Sequence, residues 1–137
     1  MSVRGRVIVP AVLVLCAACG ATMWPPLDAT SQASVPDAVT CAKGAAQSLG
    51  YKIVRSAPDL FEGQRTDTTA KLRLDEFTRY DDLSVSATTA SSGSKLRIVP
   101  GTVTVRMTRA GRFEDHNPAS ERVKQDAKAV AEKCSEL

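Results

Sequence analysis

The sequence predicts an α+β fold. We expect a two-layer sandwich with an N-terminal helix, four or five antiparallel strands and a C-terminal helix, both helices on one sheet face. Three observations predict it. Apolar residues recur at helical spacing over 38–49 and again over 123–134. Between these stretches, over 51–110, the pattern switches to period two. Cys41 and Cys134 each fall on the apolar face of one predicted helix.

The first eighteen residues read as a leader. Arg4 and Arg6 stand in a start without acids, and residues 7–18 carry no charge. Twelve apolar residues are too few for a permanent span, which needs about 20. A charged start, a short apolar run and small residues at its end describe an export signal. The end of this run is Leu15-Cys16-Ala17-Ala18-Cys19. It resembles the lipobox of bacterial lipoproteins: an aliphatic residue, two small residues and a cysteine. Cys16 stands where leucine is usual, and a cut before Cys16 would set bulky Leu15 beside it. The resemblance implies cleavage before Cys19, diacylglycerol on its thiol and acylation of the new amine. It further implies a palmitate-type anchor in the membrane. Gly20, in place of the aspartate that retains lipoproteins at the inner membrane, points to the periplasmic side of the outer membrane if the host is diderm. Two or three chains hold a protein firmly where one does not.

Residues 19–34 are expected to be a lipidated tether, and 35–137 a single domain. Positions 20–34 are rich in Pro, Ser, Thr and Ala and show no helical or strand period. Fifteen flexible residues would span roughly 20 Å. Trp24, the only tryptophan, either rests in the membrane interface or packs on the domain.

The first helix should begin at Ser34, where Ser34-Val35-Pro36-Asp37 forms a capping box with proline in the first turn. Ala38, Cys41, Ala42, Ala45 and Leu49 then share one face, and Gly50 supplies the stop. The strands follow. Residues 51–55 start one, Ala57-Pro58-Asp59 is a turn, and 60–66 return. Leu72 and Leu74 alternate with charge in the least regular stretch, 71–82. Leu83, Val85 and Ala87 alternate with polar residues, as do Leu96 and Ile98, and then Val103, Val105 and Met107. Pro100-Gly101 is either a tight turn or a break in one long strand. Asn117-Pro118 is read as the cap and first-turn proline of the last helix. Val123, Ala127, Val130, Ala131 and Cys134 make its buried face.

Once Cys16 is removed and Cys19 acylated, Cys41 and Cys134 remain. An even pair in an oxidising compartment reads as one disulfide. It would set the two helices side by side, the alternative being two buried thiols that never meet.

Composition excludes some functions. Without the leader's two arginines, 16 basic residues face 15 acidic ones, a net +1. Such a balance gives no reason to invoke nucleic acid. Lys71, Arg73, Arg79, Lys95, Arg97, Arg106, Arg109 and Arg112 lie in the sheet region and read as a solvated face among acids rather than a polymer-binding one. His116, the only histidine, stands in Glu114-Asp115-His116-Asn117. It is a general base or metal ligand, or part of a polar loop leading into the helix, and its isolation favours the loop. Asp75-Glu76 and Asp81-Asp82 read as solvated loop charge, because neighbours on a strand point to opposite faces and would not cooperate. No serine sits in a Gly-x-Ser-x-Gly elbow. No catalytic, metal or cofactor residue is therefore assigned. The expectation is a non-enzymatic envelope lipoprotein that binds an envelope protein through its exposed sheet face or edge. The rivals are a small hydrolase or polymer-modifying enzyme, which needs a concave pocket holding His116, a carboxylate and a hydroxyl, and a purely structural surface lipoprotein.

Overall fold

Local signals set the two helices. The Ser34 hydroxyl accepts from the Asp37 amide, proline sits in the first turn, and α1 runs Val35–Ser48. Gly50, at φ 91°, reverses the chain after the Leu49 cap, a conformation glycine adopts without penalty. The last helix, α2, covers Glu121–Ser135 and is capped by Ser120, whose hydroxyl accepts from the Val123 amide. Asn117 instead ends a strand, so the cap lies three residues beyond the expected one. The computed structural model describes residues 25–68 and 77–137. The leader, Cys19, Trp24 and the 71–76 stretch, with Lys71, Leu72, Arg73, Leu74, Asp75 and Glu76, lie outside the described residues.

Among the described residues the sheet has six strands, all paired antiparallel, rather than four or five. They are β1 (Leu27–Ser31), β2 (Lys52–Ala57), β3 (Leu60–Thr66), β4 (Phe77–Thr89), β5 (Ser94–Thr108) and β6 (Gly111–Asn117). The order is β1-β5-β4-β3-β2. Strand β6 continues along the β5 edge beyond β1. The element order therefore opens on a strand, not a helix. Residues 27–31, expected in the tether, pair with 94–98. Helix α1 then crosses the sheet to deliver β2 at the opposite edge.

Pro100-Gly101 neither turns nor breaks the chain. Strand β5 runs through both, paired with β4 throughout. On its other side β1 stops at Ile98 and β6 starts at Thr102. Pro100 thus falls where β5 has no second neighbour, the place where a missing N–H is tolerated.

Both helices and one sheet face share the core. Ala38, Val39, Ala42, Ala45 and Ala46 of α1 and Ala127, Val130, Ala131 and Cys134 of α2 meet Phe61, Leu83, Val85, Ala87, Leu96 and Ile98. The small α1 residues let that helix lie close to the strands. Register puts Leu83, Val85, Leu96 and Ile98 on this face. Because β5 is unbroken, Val103 and Val105 fall on the opposite face, yet both are buried. Met107, expected to continue the same apolar alternation, is exposed.

Candidate functional site

Cys41 and Cys134 form a disulfide, with Cα atoms 5.9 Å apart, that joins α1 to α2. This is the pairing expected from their helix faces.

Asp81 and Asp82 are neighbours on β4 and point to opposite faces, as the alternation requires. Neither is loop charge. Asp81 is fully buried beneath α2, where its Oδ2 accepts from Arg65 Nη2 at 2.8 Å and Arg122 Nη2 at 2.6 Å. Arg65 also donates to Asp126 at 2.6 Å and to the Leu49 carbonyl at 2.6 Å, closing the α1 terminus. Its guanidinium lies 4.5 Å from the Tyr51 ring centroid. Burial alone would lower the Arg65 pKa, but bonds to Asp81 and Asp126 hold it above its ordinary value. Tyr51 donates to Asp126 at 2.9 Å. Its hydroxyl is held far above the usual tyrosine range, first by burial and then by Asp126. Arg122 reaches Asp67 as well, at 3.1 Å. This network clamps α2 to β3 and β4. Its charges point at each other, so its role is structural.

Among the described residues no helix covers the other sheet face, which contains a hollow of about 290 Å³. Val99 and Val103 of β5 line it with Glu62, Asp82, Ser84 and His116. Strand β3 supplies Glu62, β4 supplies Asp82 and Ser84, and β6 supplies His116. His116 is therefore on an edge strand, not in a loop. Gln64 Nε2 donates to Asp82 Oδ1 at 3.4 Å. The Asp82 pKa is raised to about 6: burial is the largest cause, the Glu62 charge and hydrogen bond add to it, and Gln64 and His116 oppose it.

The hollow meets part of the hydrolase requirement: a concavity with His116, carboxylates and a hydroxyl. Register limits what these can do. Ser84 pairs with Val99, whereas His116 pairs with Val103, two strands away and four residues along β5. At strand spacings their Cα atoms stand about 16 Å apart, beyond a direct hydroxyl–imidazole bond. Among the described residues no group of three or more His, Cys, Asp or Glu is placed to hold a metal ion. The basic residues are divided: Arg79 and Arg106 lie on the helix-bearing face, and Lys95, Arg97 and Arg112 on the open one.

Sequence reasoning singled out His116, weighed Asp82 only against its neighbour Asp81, and missed Glu62, because the strands that bring the three together are far apart in the chain. No protein-family profile matches the chain, and no curated protein sequence does either. Among the described residues no helix is long and apolar enough to cross a membrane.

Proposed function

We propose that the chain is a non-enzymatic envelope lipoprotein, held to the membrane through Cys19, that binds a protein partner on its open sheet face. One observation carries the binding role. Both helices cover one face of the sheet, while the other keeps a hollow with an apolar floor and a carboxyl–imidazole rim. Such a concavity, with a few convergent polar groups, is the common form of a binding site. The Cys41–Cys134 disulfide supports an oxidising compartment and so the export reading.

A photo-cross-linking residue at Ser84 or Val99, in the full chain expressed in its host, should capture a discrete partner. The same residue at Gln47, exposed on α1, should not. Equal capture at both positions, or none at Ser84 and Val99, rejects the open face as the binding surface. Mass spectrometry of the membrane-extracted protein should find an acylated Cys19 as the first residue. A chain still beginning at Met1 rejects the anchor.

A further inference from the structure

A second concavity of about 270 Å³ lies on the helix-bearing side, where the described chain begins. Pro25, Pro26, Leu27, Pro100 and Ala127 line it, and Lys124 and Lys128 of α2 rim it. Its walls are apolar apart from those two amines. We propose that this surface lies against the bilayer, with Pro25, Pro26 and Leu27 at its mouth in the headgroup layer, buried Pro100 and Ala127 as its floor, and its lysines on anionic phospholipid. The inference rests on the lipoprotein reading, because the covalent reach comes from Cys19.

The reach is short. Six Cα–Cα steps separate Cys19 from Pro25, so an acylated Cys19 holds Pro25 within about 21 Å of its anchor point. The surface around Pro25 is thus the part of the domain kept nearest the membrane. Apolar surface bordered by lysine is what an interfacial segment presents, the lysine stems lying along the apolar layer and the amines reaching phosphate. Glu121 offsets part of this charge by pairing with Lys124 at 2.7 Å. Lys128 therefore supplies most of the attraction. The open sheet face is the reverse side of the same sheet and stays free for a partner.

The test uses the full lipidated chain in vesicles of phosphatidylcholine with and without phosphatidylglycerol. Amine acetylation at each lysine is read by mass spectrometry, before and after detergent release. Lys128, and less strongly Lys124, should label several-fold more slowly in the anionic vesicles, while Lys52 at the far sheet edge should not change. Equal labelling of Lys128 in both states, with Cys19 acylated, overturns the docking and leaves the anchor standing. Protection that ignores phosphatidylglycerol overturns the headgroup assignment. Protection found in native membranes but not in pure lipid gives the surface to a protein and also overturns it. An unmodified Cys19 removes the anchor reading and this one together.

Discussion

Asp82 and Asp81 are adjacent carboxylates with opposite solutions to burial. For Asp82 the raised pKa, about 6 against an ordinary 3.8, means the folded protein holds its proton more tightly than the unfolded chain. The linked stability is full below about pH 4 and is lost as pH rises through about 6. Asp82→Asn should therefore stabilise the protein at pH 8 by about 1 kcal/mol, the full shift being discounted because the group is partly solvated. At pH 4 the variant should match the parent, and urea titrations at the two pH values check this. An unchanged difference between variant and parent across that range would show that Asp82 is not the titrating group. Asp81 is neutralised by position instead, with two guanidiniums on one oxygen. Asp81→Asn leaves Arg65 and Arg122 facing each other without that carboxylate. A loss of about 2–4 kcal/mol is expected in the same denaturation measurement. Nothing in the sequence marked Asp81 as buried. Its partners lie 16 and 41 residues away, and a charged residue at an inward position looks like a break in the pattern.

At the scale of elements, the helices were the legible part. A serine cap, a proline in the first turn and an apolar face at spacing three and four gave α1 its start, and the buried face of α2 is the one its sequence shows. The strands were legible only where burial is one-sided. Strand β6 reads Gly-Arg-Phe-Glu-Asp-His-Asn and buries none of these, so it carries no period; it forms because β5 is long enough to offer an edge. Likewise the alternation in β5 changes face between Ile98 and Val103, which the sequence could not separate from a turn at Pro100-Gly101. The disulfide connects the two legible elements, its ends 93 positions apart in the chain. Closing such a loop removes unfolded-chain entropy worth about 4 kcal/mol. The double change Cys41→Ala with Cys134→Ala should lower the unfolding free energy measured in urea by most of that, with a matching fall in the midpoint. Alanine is the right probe because Cys134 is fully buried and a serine hydroxyl there would lack a partner. A midpoint unmoved by reduction would mean that packing of the helices on the sheet alone holds them.

At the scale of the whole molecule, the least legible element decides where the domain begins. Residues 27–31 read as tether because Leu-Asp-Ala-Thr-Ser is short and polar, yet they close one edge of the sheet. Leu27 and Ala29 pack on the core beside α2, opposite Ile98 and Leu96. Just beyond β1, the Gln32 amide donates to the Leu137 carbonyl at 3.1 Å, tying this corner to the chain that follows α2. The turn before β5 depends on the same corner: Gly93, at φ 87°, lies so close that a Cβ there would collide with the Ser31 carbonyl. A chain beginning at Val35 therefore loses more than a linker. It bares the β5 edge at 94–98, uncovers Leu96 and Ile98, and presents unpaired backbone to other chains. Compared with a chain beginning at Pro25, it should melt about 10 °C lower, as a loss of about 2 kcal/mol implies for a domain of this size. It should also sediment as multimers at concentrations where the longer chain does not. If the two chains melt together and both sediment as monomers, β1 contributes nothing to the fold and the boundary returns to the helix. If they separate as expected, the anchor proposed at Cys19 would stand only the seven residues 20–26 from the folded edge, too few to let the domain range freely above a membrane.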